Sequence, residues 1–180
     1  GGYKYQATSV VADYFGTISH KFRCQFLWRT SFTGRTVRMG YHDSVTVTDA
    51  VDGAYFECLD GTCYAKTSNN STRTTHGTTY ALALDTAYTF DIDVNAAGTS
   101  ARFRIYSGNS ATAVYDQTIT TNIPTTQARA FTVGIVATES STTASDIGIL
   151  YGIGFGTVEG FDKAQTTVVP TTVEELVVGS

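Results

Sequence analysis

The chain has 180 residues, of which 42% are hydrophobic and only 16% are charged, and its formal net charge is -4. This length suits one ordinary domain that buries its own core. The acidic balance provides no basic surface for a phosphate backbone, and no apolar run reaches the roughly 18 to 20 residues of a membrane span. We therefore expect neither a nucleic-acid partner nor a membrane span.

The first half of the chain contains two clear strand patterns. Segments 21–30 and 35–41 place an apolar residue at every second position, which is the period of a half-buried strand. A content of 11 Tyr and 10 Phe, with many Thr and Val, also favours pleated surfaces. The predicted inward residues are Phe22, Cys24, Phe26, Trp28, Val37, Met39 and Tyr41.

The segment 54–68 predicts a β-hairpin and its register. Asp60-Gly61 is suited to the φ > 0 positions of a type I′ turn between two alternating runs. With that turn, Cys58 faces Cys63, and the pair forms either a cross-strand disulfide or two small buried thiols. Cys24 is left without a partner, and the three cysteines do not indicate whether the chain is in an oxidising or a reducing compartment.

The second half predicts further strands at 88–94, 101–105, 114–120 and 128–138, followed by the glycine-interspersed run 147–156. No helical period separates them, so parallel crossovers are not expected. Strands at this spacing are typical of a two-sheet antiparallel sandwich, and a jelly roll is the best architecture. We expect an all-β sandwich over 1–160 and a tail or contact arm over 161–180.

The order of these segments resembles the concanavalin A-like lectin/glucanase jelly-roll superfamily. The similar elements are the hairpin FECLDGTCYAKTS, the strands AYTFDIDV and ARFRIYSG, the segment TTNIPT and the closing glycine-rich strand, over roughly 21–160. More narrowly, the chain looks like laminin-G-like domains of bacteriophage head or tail fibre and decoration proteins. The resemblance implies a rigid sandwich used for attachment, glycan contact or virion assembly.

Catalytic signatures of that superfamily are not found in the sequence. Its glycoside hydrolases carry paired carboxylates on one strand, and the nearest match here is Asp91 with Asp93, where the third carboxylate is absent. We read both as the solvated face of an amphipathic strand. The Arg, Gln, His and Tyr motifs of lyases with this fold are also missing, and His20, His42 and His76 are dispersed. We therefore expect no enzyme and no cofactor.

A sugar platform is predicted on one face of the hairpin. Alternation puts four side chains on the face opposite Phe56, where aromatic rings and polar groups together suit a carbohydrate. These are Tyr55, Tyr64, Glu57 and Lys66. The alternative is that another layer covers this face.

Calcium has weak candidates in Asp43, Asp49 and Asp52, which lie in one loop. Acidic loop residues are more often simply solvated, so no metal is expected.

Taken together, these patterns and the resemblance favour a non-enzymatic structural domain on a phage virion surface, either a capsid decoration or a fibre domain. Its partners would be other virion proteins or further copies of itself, with host cell-surface glycan as a further contact. The alternative is a carbohydrate-binding module of an extracellular protein.

Overall fold

The computed structural model describes residues 2–6, 14–44, 46, 48–140 and 147–157, with the first and last of these ranges described by their backbone. Within them lie eleven strands and one short 3-10 helix, Gln127–Arg129. The strands are β1 Gly2–Gln6, β2 His20–Trp28, β3 Arg35–His42, β4 Gly53–Leu59, β5 Thr62–Asn69, β6 Thr72–Ala81, β7 Ala87–Val94, β8 Ala101–Ser107, β9 Tyr115–Ile119, β10 Thr132–Glu139 and β11 Ile147–Thr157.

The strands form two antiparallel sheets. The six-stranded sheet has the order β1-β10-β3-β4-β5-β6, and the five-stranded sheet has the order β11-β2-β7-β8-β9. Consecutive strands are connected either within one sheet, as in β3-β4-β5-β6 and β7-β8-β9, or by a crossing to the other sheet, as in a jelly roll. The predicted all-β antiparallel sandwich is confirmed.

The core lies between the two sheets, and the period-2 patterns explain it. Phe56 of the six-stranded sheet makes edge-to-face contacts with Phe90 and Phe103 of the five-stranded sheet, with ring centroids 5.2 and 5.3 Å apart. Such pairs stabilise beyond their buried area. The residues predicted to point inward on β2 and β3 are all buried, so alternation correctly separates the core face from the outer face.

The central hairpin has the predicted turn and register. Asp60 and Gly61 have φ values of 48° and 80°, as a type I′ turn requires. Cys58 pairs with Cys63 across β4 and β5, and a disulfide joins them. A side chain at Gly61 would also meet the ring of Phe32 at 2.6 Å. Cys24 is a free, buried cysteine.

Strand β6 forms one edge of the six-stranded sheet and is bulged. Tyr64 pairs with Thr79 and Lys66 with Thr75, so three residues of β6 oppose one residue of β5. Within this bulge the carbonyl of Thr78 accepts a hydrogen bond from the Tyr115 hydroxyl of the other sheet, at 3.1 Å. The bulge thus ties the edge strand to the opposite sheet.

The closing strand is confirmed as β11, which pairs with β2 through two register irregularities. The predicted tail, 161–180, lies outside the described residues, and the domain boundary near residue 160 stays a prediction. Among the described residues, no helix has the length and apolar character needed to cross a bilayer.

Candidate functional site

The outer face of the six-stranded sheet carries a connected set of polar and charged side chains. Alternation along β4 and β5 puts Tyr55, Glu57, Tyr64 and Lys66 there, as predicted. The connection between β3 and β4 lies against the same face. Its ends are held together, because the Asp43 amide donates to the Asp52 carbonyl at 3.2 Å.

One carboxylate of this connection, that of Asp49, lies among side chains from four adjacent strands, of which two donate hydrogen bonds to it and two are ion-pair partners. The Tyr55 hydroxyl on β4 donates to Oδ1 at 2.6 Å, and Lys66 Nζ on β5 donates to Oδ2 at 3.1 Å. Arg38 Nε on β3 lies 3.4 Å from Oδ1, and Arg73 Nε on β6 lies 3.3 Å from Oδ2. Asp49 is therefore the centre of a charge-assisted network.

A second carboxylate, that of Glu57, completes the network. Arg38 Nε donates to Oε2 at 2.8 Å, and Lys66 Nζ donates to Oε1 at 2.5 Å. We call the six residues Arg38, Asp49, Tyr55, Glu57, Lys66 and Arg73 the Asp49 cluster. The side chains of Arg38 and Glu57 are only 7% and 11% exposed, whereas Asp49 and Arg73 are 26% and 32% exposed. The cluster thus has a buried end and an end that reaches solvent.

The electrostatics of the cluster favour an ionised Asp49. Burial alone would raise the pKa of its carboxyl, but the hydrogen bonds from Tyr55 and Lys66 and the charge of Arg38 bring that pKa below its ordinary value. Burial and the bond to Asp49 raise the pKa of the Tyr55 phenol. Tyr55 is thus a neutral donor to a charged acceptor.

His42, at the end of β3, is a site residue that sequence analysis missed. Its ring lies edge-on to Tyr55, with centroids 5.8 Å apart, and is 2% exposed. Within the described residues neither ring nitrogen has a hydrogen-bond partner. Burial lowers the pKa of His42 to about 4, so its imidazole is neutral at neutral pH. The backbone of Gly134 and Ser44 lies close enough to raise this pKa slightly, but neither residue forms a hydrogen bond with the ring.

A signal for His42 was present in the sequence. The same alternation that places Arg38 on the outer face of β3 places His42 there as well, four residues further along the strand. Its proximity to Tyr55 depends on the register between β3 and β4, which pairs Gly40 with Tyr55. Alternation alone could not supply that register.

The predicted pair of exposed tyrosines is wrong for Tyr55. Its side chain is 0% exposed, because Asp49 and the connection that carries it lie over it. Tyr64 is half-buried, between Glu57 on β4 and Thr79 on β6. The alternative given by the sequence, that another layer covers this face, is therefore correct for Tyr55. The sugar-binding roles of these residues stay predictions.

The three calcium candidates do not converge. Asp43 Oδ1 accepts the amide hydrogens of Val51 and Asp52, and Asp52 Oδ1 accepts that of Asn70 at 2.7 Å. Asp49 is occupied by the cations of its cluster. In the part of the chain that the structure describes, no three His, Cys, Asp or Glu side chains are grouped as metal ligands.

The carboxylates of β7 lie on the outer face of the other sheet. Asp91 forms a two-pronged ion pair with Arg23, at 2.6 and 2.5 Å, and Asp93 pairs with Arg104. The prediction that Asp91 is solvated is wrong, because guanidinium groups from β2 and β8 flank it and leave 5% of its side chain exposed. Both carboxylates serve cross-strand pairing.

Comparison with known proteins identifies the family. The model of the family described as "SO2946-like, C-terminal domain" matches residues 1–149. The chain belongs to this family. A solved structure of the SO2946 protein of unknown function from Shewanella oneidensis MR-1 is 20% identical, with a TM-score of 0.57, and the match covers 72% of this chain. The SO2946-like domain spans 54% of the length of that protein, and no curated protein sequence matches it.

Two further solved structures share the fold of the SO2946-like domain. Alginate lyase A1-II′ matches with a TM-score of 0.55 and 11% identity, over 84% of this chain and 67% of the lyase. A GH131 β-glucanase catalytic domain from Podospora anserina matches with a TM-score of 0.54 and 9% identity, over 88% of this chain and 66% of the other. The resemblance to concanavalin A-like jelly rolls is thereby confirmed at the level of the fold.

These structures correct one expectation and leave another untested. The exclusion of an enzyme is wrong, because a lyase and a glucanase catalytic domain have the same fold, so lacking the signatures of one superfamily does not exclude catalysis. The comparisons supply no link to bacteriophage, and the virion assignment stays a prediction.

Proposed function

We propose that this SO2946-like domain binds polysaccharide on the outer face of its six-stranded sheet, as part of an extracellular protein. The observation that carries the proposal is the combination on that face of the half-buried Tyr64 ring with the solvent-reaching end of the Asp49 cluster. An aromatic ring that presents one face, beside a few fixed polar groups, is the usual composition of a sugar site.

Two further observations support this proposal. Solved structures with the same fold include an alginate lyase and a β-glucanase catalytic domain, both of which act on polysaccharides by their names. The disulfide between Cys58 and Cys63 is of a kind that persists in oxidising, extracellular compartments.

The test is binding to a panel of neutral and acidic polysaccharides. We expect the wild-type chain to bind at least one of them, and Tyr64→Ala to lose most of that binding. Tyr106→Ala is the matched control, because Tyr106 is also half-buried but lies on the five-stranded sheet. Equal binding by the two variants, or no binding to any polysaccharide, would refute the proposal.

A second candidate function is cleavage of the bound chain, which the lyase and glucanase catalytic domain that share the fold favour. The measurement is release of new chain ends from each polysaccharide that binds. Release of chain ends by the wild-type chain would support catalysis, and binding without any release would refute it.

A further inference from the structure

We propose that Asp49 occupies a subsite for the carboxylate of a ligand sugar, and that the preferred ligand is a uronic acid-containing polysaccharide that displaces Asp49 from its cations. This inference rests on the proposed function, which it deepens by naming the substrate class.

The donors of the subsite are fixed by the sheet, whereas the acceptor is not part of it. Arg38, Tyr55, Lys66 and Arg73 lie on the consecutive neighbours β3, β4, β5 and β6, whose ladders set their spacing. Asp49 belongs to the connection outside the ladder. Two guanidinium groups, an ammonium group and a phenol around one carboxylate make the donor set that recognises a carboxylate ligand.

The net positive charge of the cluster favours an anion at the position of the Asp49 carboxylate. Three cations and two carboxylates give a net charge of +1, and removal of Asp49 would leave +2. Glu57 already engages both Arg38 and Lys66, so it cannot replace Asp49 at Arg73. A uronate carboxylate would restore the charge that Asp49 now supplies.

The subsite is reachable from solvent and adjoins the aromatic ring. Asp49 and Arg73 form the exposed end of the cluster. Tyr64 lies two positions before Lys66 on β5, and therefore on the same face. One sugar unit could thus stack on Tyr64 while its carboxylate, or that of the next unit, meets Lys66 and Arg73.

The competing interpretation is that Asp49 only anchors the connection between β3 and β4. That connection has other anchors, however. Ser68 Oγ donates to the carbonyls of Ala50 and Val51 at 3.1 and 2.7 Å, and Arg73 Nε donates to that of Ala50 at 3.0 Å. Since these bonds hold the backbone beside Asp49, a carboxylate that also accepts from Tyr55 and Lys66 and lies near two guanidinium groups is more than anchoring requires.

The experiment compares Asp49→Ala with Asp116→Ala in the full chain, with polygalacturonate and a neutral β-glucan as probes. Both variants remove one carboxylate that pairs with arginine, but Asp116 lies on the opposite sheet. Loss of an internal competitor should tighten polygalacturonate binding by Asp49→Ala roughly tenfold at physiological salt, and by a larger factor than it changes glucan binding. An unchanged or weaker affinity, or an equal gain in Asp116→Ala, would overturn the inference.

A second measurement keeps the inference testable if Asp49→Ala is unstable. Free galacturonate should raise the melting temperature of Asp49→Ala more than that of the wild type, and galactose should raise neither, because only the acid replaces the lost carboxylate. Equal shifts in the two proteins would overturn the inference.

The two proposals fail in distinguishable ways. Tyr64-dependent binding of a neutral polysaccharide, without any gain for polygalacturonate in Asp49→Ala, would refute the uronate subsite and keep the polysaccharide-binding function. Polygalacturonate binding that tightens in Asp49→Ala but is equal in Tyr64→Ala and Tyr106→Ala would support the subsite and refute the Tyr64-dependent binding function.

Discussion

The outer faces of the two sheets use the same residue types in different arrangements. On the five-stranded sheet, Arg23, Asp91 and Arg104 pair across neighbouring strands, and the Arg23 side chain is 48% exposed. On the six-stranded sheet, side chains from four strands surround Asp49, and the Arg38 side chain is 7% exposed. The first arrangement is an open ladder of pairs, whereas the second is an enclosed network.

The difference between the faces comes from one connection. Both faces are produced by period-2 alternation, but only the six-stranded face is covered by the chain between β3 and β4. A covering segment shields charged groups from water. Ion pairs shielded in this way are strong, but removal of one partner leaves a buried charge unpaired, which is costly. Enclosure therefore makes the Asp49 cluster sensitive to changes that an exposed pair of the ladder, such as Asp116 with Arg102, should tolerate.

The largest expected effect on stability is that of Glu57→Ala. This variant leaves the buried cations Arg38 and Lys66 without one of their carboxylates. Breaking a buried pair in this way costs about 3 to 5 kcal/mol of unfolding free energy. Equilibrium denaturation measures the loss; a loss no greater than that of an exposed substitution would show that the network is not enclosed in solution.

The contribution of His42 to the unfolding free energy should depend on pH, with a change nearly as large as the effect of Glu57→Ala. Its pKa is about 4 in the folded chain against an ordinary value of 6.5, so only the unfolded chain gains a proton between these values. Stability is then complete above pH 6.5 and falls as the pH drops towards 4, by about 2 to 3 kcal/mol at pH 4.5.

His42→Phe isolates this contribution, because it keeps an aromatic ring beside Tyr55 and removes the titrating group. Denaturation of the variant and the wild type at pH 7, 5.5 and 4.5 gives the comparison. The difference between the two proteins should change with pH in the stated direction, and a constant difference would contradict a neutral, buried imidazole.

The smallest effect is expected at the edge of the open ladder. Asp116 pairs there with Arg102, and their side chains are 39% and 52% exposed. The Arg102 pair lowers the pKa of Asp116, but water and salt screen exposed pairs of this kind. Asp116→Ala should match the wild type in denaturation at 0.15 M salt; a large loss would place this face on a par with the Asp49 cluster.

The sequence predicted the parts of the fold that depend on local chemistry. Asp60 and Gly61 favour the two positive φ values of a type I′ turn. That turn fixes the pairing of Cys58 with Cys63. Alternation also placed Tyr55, Glu57, Tyr64 and Lys66 on one face. The turn residues and the alternation lie within a few residues of the hairpin that they determine. They therefore predict it without knowledge of the strand order in the sheets.

The parts that were missed depend on contacts between distant segments. Burial of Tyr55 requires Asp49 to lie over it, and no periodicity predicts where a connection folds back. Burial of Asp91 requires Arg23 from β2 and Arg104 from β8, which only the order of the five-stranded sheet brings together. The enzymatic exclusion failed for a similar reason, since it tested sequence motifs and not the surface that the fold creates.

The bulge in β6 affects how copies of this chain meet one another. A long, regular edge strand offers free amides and carbonyls to a second sheet and can seed fibres. Here the edge bends where three residues oppose one, and the Thr78 carbonyl turns to Tyr115 instead of a neighbour. Copies crowded side by side along one polymer would therefore find no straight β6 edge to extend.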